Sequence, residues 1–576
     1  MSRRRRRNDW IPGAVITIIV IMLSVVFMGL LAMTKMIPTI YMLIIGIVLA
    51  VIAAIIWLLV WHTRYTGRFI GGTVLAVIMI AILAFGGFYI NKTRSAISNI
   101  SGETTEVTQM AVYVKSDDAA DSVEATAGYT YGILSSLDRE NTDGAVAHLN
   151  SEFGTEVQTK EYAGLTELAD GILNGEVNAM LLNSGYLSVY EDMDGYTDFS
   201  TKIKEVGTVD VESTIQSAEE STPIEPITTA NGGKVYTIYL SGIDTRGEMT
   251  AKSRSDVNII ATVNTDTHEI LLVSTPRDYF VPLSISGGAP DKLTHAGIYG
   301  IDVCMDTLGM LYDIDINYYF RINFGGFVKV IDALGGITVN SDYDFDSKNI
   351  LGYHFNKGEN YVNGEQALIF ARERYAFQEG DRQRGKNQME VIRGVVKKAL
   401  SPEILTSYSS ILSSLDGCFG TNITYEEIAQ ILQQQLTNGG DWTIVSYSVN
   451  GTGATEKPYS MSQKAYVMVP DYNTVDKAKS LMEKVRNGEV VTQEEADAPV
   501  GSTSESTDTQ SVTEPGTVAA ETATNADGTA ADGATTDGAA ATDGTTVSLR
   551  ICIFPVCSNG FRLLSVSFRA IKSSML

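Results

Sequence analysis

Carboxylates and arginines recur where strands are expected to end. Asp244, Arg254, Asp256 and Arg277 each lie beside one end of an apolar, β-branched segment. Loops at strand ends commonly carry binding sites. Two carboxylates supply the hard oxygen ligands that Mg²⁺ prefers, and neighbouring arginines match phosphate oxygens. For these four residues alone, exposed salt bridges remain the simpler explanation.

A second pair of arginines follows a short helix predicted at 364–370. If the chain is extended after that helix, Arg372 and Arg374 share one face, because side chains alternate along an extended backbone. Glu373 then points away from that face. This spacing predicts two guanidinium groups directed at one ligand.

A longer helix, predicted from about 380 to 400, adds a third group. Arg384 and Gln388 are four residues apart and therefore share a face, and Asp381 lies near the helix start, where acids are favourable. The candidate site then holds five arginines in a region of negative overall charge: Arg254, Arg277, Arg372, Arg374 and Arg384. Clustered arginines repel one another, so an anionic ligand is the simplest compensation. A diphosphate with Mg²⁺ fits this count.

Strands must position these side chains. Three segments have the β-branched and aromatic composition of strands: 235–240, 256–263 and 269–274. The last two are separated by a short turn, which predicts a hairpin. In an extended segment Arg254 and Asp256 point to one face and Ser255 to the other.

Composition excludes two classes of protein. The 576-residue chain has 43 Lys and Arg against 68 Asp and Glu, a formal net charge of −25. Nucleic-acid binding is therefore not expected, because phosphate backbones need a basic surface. A soluble cytoplasmic enzyme is excluded by three charge-free apolar runs near the ~20 residues that cross a bilayer: Ile11–Met33, Pro38–Trp61 and Ile70–Ile90.

The charges around these runs predict an orientation. Arg3 to Arg7 precede the first run, and Arg64 and Arg68 lie between the second and third. Basic loops stay on the cytoplasmic side. We therefore expect a multi-pass protein of the cell membrane with a cytoplasmic N-terminus and everything after Ile90 outside the cell. Whether the three spans dimerise is left open.

The remainder divides by composition. The alternation of strand and helix patterns in 107–206 indicates a small α/β unit, whose segment 166–191 resembles one lobe of an extracellular solute-binding protein; a spacer or partner-docking role is the alternative. From 499 to 546 the chain is rich in Thr, Ala, Gly and Asp and cannot bury a core. The expected divisions are 1–94 (basic N-terminus and membrane helices), 95–208 (accessory α/β domain), 209–233 (linker), 234–490 (catalytic domain), 491–548 (disordered acidic tail) and 549–576 (apolar-basic, no assigned role).

Seven motifs of this sequence occur in the order typical of a known family, and the chain therefore resembles the LytR-CpsA-Psr proteins of bacterial envelopes. The motifs are "SGIDTR" at 241–246, "RSDVNIIATV" at 254–263, "LVSTPRDYFV" at 272–281, "DKLTHAGIYG" at 291–300, "FVKVIDALGGITVN" at 327–340, "VNGEQALIFARERY" at 362–375 and "GDRQRGKNQ" at 380–388. Seven motifs in order between residues 241 and 388 argue against chance similarity. One departure is Asn387, where the family often has Arg.

The resemblance implies roles for the residues. Asp244 and Asp256 look like magnesium ligands, and Asp381 looks like the acidic residue of the site. The pyrophosphate-binding set would be Arg254, Arg277, Arg372, Arg374, Arg384 and Gln388. Arg254, Arg372, Arg374 and Asp381 would be catalytic. Asp381 is the first candidate for the base that takes the proton of the acceptor hydroxyl, and Asp278 is the second, although bracing an arginine is the simpler role of Asp278.

The resemblance also implies a fold and an activity. The fold would be α/β, an α-β-α domain with a central mixed sheet and an apolar cleft for a prenyl chain. The enzyme would be a phosphotransferase that moves a glycopolymer (capsule or teichoic acid) from a polyprenyl-pyrophosphate carrier in the membrane lipid onto peptidoglycan. Candidate cleft residues are 298–312 and 327–334 with Phe320, Phe324 and Phe370, and ordinary core is their alternative role.

Two other functions remain compatible with the sequence. One is a pyrophosphatase that uses water as the acceptor on the same lipid-linked glycan. The other is a non-catalytic envelope sensor or assembly scaffold in which the 107–206 unit binds the ligand. His295 is expected to be a hydrogen-bonded structural residue.

Overall fold

The computed structural model describes residues 10–61, 66–100, 105–214, 226–229, 233–243, 252–399, 419–438 and 440–500. Several sequence predictions fall outside the described residues: the metal ligand Asp244, the arginines at 3–7, most of the 491–548 tail and the 549–576 segment. All described residues belong to one unit that spans Met1–Thr503.

Three long apolar helices open the described chain: α1 (Ile11–Met33), α2 (Thr39–Val60) and α3 (Thr66–Ile100). Each is long and apolar enough to cross a membrane, as the sequence predicted. They pack on one another through a small cluster that includes Val20, Ile56 and Leu83. Most of their other apolar side chains are exposed, as expected for faces that contact lipid.

The first sheet follows directly and has the strand order β3-β2-β4-β1-β5. Its strands are β1 (Thr105–Lys115), β2 (Thr130–Leu134), β3 (Gln158–Tyr162), β4 (Ala179–Asn183) and β5 (Ile203–Thr214). Its helices are α4 (Arg139–Phe153), α5 (Leu165–Leu173), α6 (Leu187–Tyr190) and α7 (Phe199–Lys202). Residues 105–214 are called the first-sheet domain below.

The chain between β1 and β2 forms only the 3-10 turn Glu124–Thr126, because Gly128 and a run of small residues favour turns. One predicted boundary of this domain differs from the structure. The strand β5 continues to Thr214, into the stretch 209–233 that was expected to be a linker.

The second sheet is mixed and has the strand order β17-β12-β7-β8-β9-β18, with β6 beside β7. Its strands are β6 (Ile227–Thr228), β7 (Lys234–Ile243), β8 (Ser255–Asn264), β9 (Glu269–Ser274), β12 (Tyr318–Asn323), β17 (Phe419–Thr421) and β18 (Thr443–Ser448). The pairs β7–β8 and β8–β9 are antiparallel, which confirms the predicted hairpin. The strands β12 and β18 run parallel to β7 and β9.

Helices cover both faces of this sheet and give the predicted α-β-α architecture. One face packs on α9 (Ile301–Tyr312) and α14 (Tyr472–Arg486) around a core that includes Tyr239 and Leu271. The other face packs on α12 (Asp381–Ala399) through Met389. The remaining helices are α8 (Ala296–Tyr299), α10 (Phe324–Ala333), α11 (Gly364–Arg372), α13 (Tyr425–Asn438) and α15 (Gln493–Asp497). Residues 226–500 are called the second-sheet domain.

Four short antiparallel pairs complete the second-sheet domain. Their strands are β10 (Phe280–Pro282), β11 (Pro290–Lys292), β13 (Ile337–Ser341), β14 (Phe345–Asp346), β15 (His354–Phe355), β16 (Gly358–Val362), β19 (Gly451–Glu456) and β20 (Ala465–Pro470).

The two sheet domains share a buried contact. Glu106 of β1 forms an ion pair with Arg321 of β12, and both side chains are 2% exposed. Ile298, Met461 and other apolar side chains of the second-sheet domain pack into the core of the first. The two domains are therefore joined by a continuous core.

Candidate functional site

A cleft of about 600 Å³ opens between one edge of the second sheet and the helices α10, α11 and α12. Strands β7 and β9 end at this edge and β8 begins there, because both neighbours of β8 are antiparallel to it. This topology brings together residues that are far apart in the sequence. The cleft is lined by Arg254, Asp256, Arg277, Arg372, Arg374, Arg384 and Gln388.

The start of β8 places two of these side chains. Arg254 and Asp256 line the cleft, and Ser255 points to the opposite face. There the Ser255 hydroxyl lies 2.8 Å from the Tyr239 hydroxyl and 2.8 Å from the Ser241 hydroxyl. The alternation predicted from the two-residue spacing is confirmed.

The Asp256 carboxylate is held by one arginine and one hydroxyl group. Nη1 of Arg277 donates to both of its carboxylate oxygens, at 3.0 and 3.1 Å, and the Thr294 hydroxyl donates to Oδ1 at 3.1 Å. Burial would raise the pKa of Asp256, but Arg277, Arg384 and Arg254 together lower it below its ordinary value. Asp256 is therefore a charged oxygen donor at neutral pH.

The end of α11 presents the second arginine pair. Arg372 and Arg374 line the cleft, whereas Glu373 is fully buried on the other side. The Glu373 carboxylate accepts hydrogen bonds from the Ser347 hydroxyl and from several backbone N–H groups, including those of Lys348 and Ala376. Burial would raise the pKa of Glu373, but these hydrogen bonds lower it. The buried carboxylate thus anchors the turn that directs both arginines.

Neither arginine of this pair is neutralised. The Arg372 guanidinium lies 4.2 Å from the centre of the Phe324 ring, and Arg374 donates to the Tyr375 hydroxyl at 2.6 Å. Within the described part of the chain, neither forms an ion pair with a carboxylate, whereas Arg277 does. Two positive charges are therefore available to an anion in the cleft.

Helix α12 supplies the third group. Arg384 and Gln388 line the cleft, but Asp381 does not; it forms an ion pair with Arg384. Burial lowers the pKa of Arg384, and Asp381 opposes that effect. Asn387, the departure from the family pattern, is buried and donates to the Phe370 carbonyl at 3.0 Å. It does not belong to the cleft.

Asp192 lines the cleft and Lys292 contacts it, and the sequence prediction gave neither residue a role. Lys292 Nζ lies 3.1 Å from Asp192 and 3.6 Å from Asp278. Asp278 also lies 3.6 Å from Nε of Arg277, which is the bracing role considered for it. Lys292 belongs to a quoted motif, which was a usable signal. Asp192 comes from the first-sheet domain, and no local pattern links it to the site.

The other half of the cleft is apolar. As predicted, Phe320, Phe324, Phe327, Val330 and Ile331 line it, together with Val391, Ile392, Val395 and Val396 of α12. The expectation for Phe370 was wrong, because its ring is fully buried against Phe345 and Phe355.

The predicted lining at 298–312 was also wrong. Helix α9 packs on the opposite face of the sheet, because the strand order places it there. His295, next to this segment, is fully buried, and its Nδ1 lies 2.7 Å from Asp291 and 2.8 Å from the Ser460 hydroxyl. This is the structural role expected for it.

One of the two predicted magnesium ligands, Asp256, lies among the described residues. Asp256 is a charged carboxylate at the cleft, which fits a hard divalent ion. Among the described residues no cluster of three potential ligands forms. The second predicted ligand, Asp244, lies outside the described residues, so the magnesium site stays a prediction.

Known proteins resemble this chain. Residues 200–484 match the model of the LytR_cpsA_psr family. A Bacillus cereus protein named polyisoprenyl-teichoic acid–peptidoglycan teichoic acid transferase TagU is 35% identical over 192 residues, which are 33% of this chain and 61% of that protein. An Enterococcus faecalis protein of the same name is 36% identical over 203 residues, 35% of this chain and 66% of that protein. The match thus spans less than two thirds of either relative.

Solved structures also align with part of the chain. The crystal structure of TagV from B. subtilis is 27% identical and covers 45% of this chain and 98% of its own, with a TM-score of 0.37.

Proposed function

Because residues 200–484 belong to the LytR-CpsA-Psr family, we propose that the chain is a membrane-anchored phosphotransferase that attaches a glycopolymer to peptidoglycan. The donor would be a glycopolymer on a polyprenyl-pyrophosphate carrier. One observation carries the proposal: arginines from four separate segments converge on a cleft whose other half is apolar. The relatives named above are teichoic acid transferases, which supports the same substrate class.

The two halves of the cleft match the two halves of such a donor. The guanidinium groups of Arg372 and Arg374 would bind the pyrophosphate, since planar guanidinium forks match its oxygens. The side chains of α10 and α12, among them Phe327 and Val395, would bind the first prenyl units.

The chemistry follows from charge. The acceptor sugar hydroxyl would attack the phosphorus that carries the glycopolymer. The new oxygen–phosphorus bond forms as the bond to the bridging oxygen breaks, polyprenyl phosphate leaves, and the hydroxyl proton passes to water at the cleft mouth. The arginines would offset the negative charge and hold the phosphorus in line, which is most of what phosphoryl transfer requires. Asp381 would act by holding Arg384.

We also propose a magnesium ion as cofactor, held by Asp256 and Asp244. When bound, it would further neutralise the pyrophosphate oxygens. Removal of divalent cations with EDTA is then expected to abolish transfer, with recovery on addition of Mg²⁺. Transfer that is insensitive to EDTA would contradict this part of the proposal.

The membrane helices support an extracytoplasmic site. The loop between α1 and α2 contacts α13 of the second-sheet domain: the Tyr425 hydroxyl donates to the Thr34 carbonyl at 3.1 Å, and Met36 packs against Ala429. This loop and the end of α3 therefore lie on the side of the sheet domains. The basic residues Arg3 to Arg7 would then lie on the cytoplasmic side, as the positive-inside rule requires.

The decisive experiment uses the full chain in proteoliposomes with a synthetic polyprenyl-pyrophosphate-linked teichoic acid precursor and peptidoglycan oligosaccharides. We expect Arg372→Ala and Arg374→Ala each to reduce transfer by at least ~100-fold, because each removes charge stabilisation. Arg139→Ala, at an exposed pair of the first-sheet domain, is the matched control.

The product separates the candidate activities. A phosphodiester on peptidoglycan supports the transferase, and free phosphorylated glycan identifies a pyrophosphatase. If both arginine variants retain full transfer, the enzyme assignment is wrong and a scaffold role is favoured.

A further inference from the structure

The first-sheet domain reaches the cleft through one loop. Glu191 and Asp192 follow α6 and line the cleft beside Arg254. Oδ2 of Asp192 lies 3.4 Å from Nη1 of Arg254 and 3.1 Å from Nζ of Lys292. Two cations of the second-sheet domain thus share one carboxylate of the first.

This loop is held at both ends. Tyr190 and Met193, on either side of the acidic pair, are buried in the core that the two domains share. The Tyr190 hydroxyl donates to the Leu165 carbonyl at 2.7 Å, and the Gln463 side chain of the second-sheet domain donates to the Asp194 carbonyl at 3.1 Å. Asp192 therefore occupies a fixed position relative to the cleft.

Asp192 ends a chain of alternating charges beneath the cleft. Lys292 lies between Asp192 and Asp278, and Arg277 lies between Asp278 and Asp256. The Lys292 side chain is only 4% exposed, so loss of either acid partner would leave a buried ammonium group poorly compensated. The contact with Asp192 fixes Arg254, which immediately precedes β8.

From these contacts we propose that Asp192, itself held by Lys292, is a positioning residue that orients Arg254, so that the transferase site is complete only when the first-sheet domain contributes to it. The inference rests on the proposed function of the cleft and adds a role for the first-sheet domain in it. Asp192 acts through Arg254 and has no reacting atom of its own.

The test compares Asp192→Asn with Asp121→Asn in the full-length protein. Asp121 forms the same kind of pair, with Lys204 at 2.8 Å, on the exposed surface of the same domain. We expect Asp192→Asn to weaken binding of farnesyl pyrophosphate, measured by calorimetry in detergent, by about tenfold, the factor for one lost charge-assisted hydrogen bond. Asp121→Asn should bind as the wild type does.

A double-mutant cycle separates positioning from general destabilisation. If Asp192 acts through Arg254, the double variant Asp192→Asn/Arg254→Ala should bind farnesyl pyrophosphate less than about twofold more weakly than Arg254→Ala alone. The proposal would be overturned if the losses of affinity caused by the two single substitutions multiplied in the double variant. It would also be overturned if Asp192→Asn bound farnesyl pyrophosphate as tightly as the wild type. Faster transfer by Asp192→Asn would also overturn it, because that result identifies an inhibitory carboxylate.

The outcome is separable from that of the proposed function. If Arg372→Ala abolishes transfer while Asp192→Asn is silent, only the role of the first-sheet domain is wrong. If Arg372→Ala is silent too, the assignment of the cleft itself fails.

Discussion

The guanidinium of Arg372 lies 4.2 Å from the centre of the Phe324 ring, so the cation that ends α11 rests on the aromatic residue that begins α10. A cation over a ring face gains roughly 0.5–2 kcal/mol, and the contact also fixes the plane of the guanidinium. Phe324 therefore belongs to both halves of the cleft, since the same ring also borders the apolar side.

Replacement of Phe324 by Leu should raise the donor KM of the proposed transfer by about two- to fivefold, because the apolar lining survives while the cation–ring contact is lost. Steady-state kinetics with the lipid-linked donor measure this effect. Phe320→Leu is the matched control, because that ring also lines the cleft but packs on Phe419 at 4.4 Å. Equal effects of the two substitutions would show that the contact with Arg372 is irrelevant.

Gly297→Ala should reduce the transfer rate although Gly297 does not line the cleft. A Cβ at this position of α8 would lie 2.3 Å from the Ser253 carbonyl oxygen and 2.8 Å from the Ser255 nitrogen, on either side of Arg254. The strand start must shift, and a displacement near 1 Å can cost about 100-fold in rate. Transfer assays measure the loss. Gly128→Ala, where a Cβ meets nothing within 4 Å, should leave the rate unchanged. A wild-type rate for Gly297→Ala would contradict the prediction.

Local alternation made much of the site predictable from the sequence. The two-residue spacings of Arg254 with Asp256 and of Arg372 with Arg374 were enough to assign each pair to one face, and the structure places both pairs in the cleft. A four-residue helical spacing did the same for Arg384 and Gln388. These periodicities depend on the backbone alone.

Features that depend on long-range packing could not be predicted. The position of α9 follows from the strand order, and the burial of Phe370 follows from rings that come from β14 and β15. The contact between Asp192 and Lys292 joins residues 100 positions apart in the sequence. No local pattern encodes such a contact, because it depends on how the two sheets pack.

Glu373→Gln should destabilise the fold in a pH-dependent manner. The charged carboxylate accepts several hydrogen bonds, so its loss should lower the free energy of unfolding at pH 7 by roughly 1.5–3 kcal/mol. The pKa of Glu373 is lowered in the folded state, so its contribution is present above the unfolded value of about 4.3 and is lost as pH falls through the folded pKa.

Denaturant unfolding of wild type and Glu373→Gln at several pH values tests this sign. The difference between them should begin to shrink as the pH falls below the unfolded pKa of about 4.3, because the unfolded wild-type carboxyl then binds a proton that the folded carboxyl does not yet bind. Glu359→Gln, at an exposed position of β16, serves as the control. A difference that stays constant with pH would rule out a charged Glu373 as its cause.

Glu106→Gln should lower the stability of both sheet domains together. It would break the buried ion pair between Glu106 and Arg321, at a cost of about 3–5 kcal/mol. Hydrogen exchange in β1 and β12 should accelerate in parallel, because both strands depend on the shared core. The surface variant Glu161→Gln, which breaks an exposed pair with Arg139, should have almost no effect. Faster exchange in β1 alone would show that the domains are energetically separate.

Val395→Trp should distinguish the prenyl part of the proposed donor from its pyrophosphate. Val395 lines the apolar half of the cleft, where an indole would occupy space needed by the isoprenoid chain. The arginines lie in the other half, so affinity for inorganic pyrophosphate should stay within about twofold of wild type, whereas affinity for farnesyl pyrophosphate should fall at least about tenfold. Val490→Trp, at a position that is 66% exposed, controls for the added indole. If Val395→Trp weakens both ligands equally, the apolar half does not bind the prenyl chain, and the two-part match between cleft and donor fails.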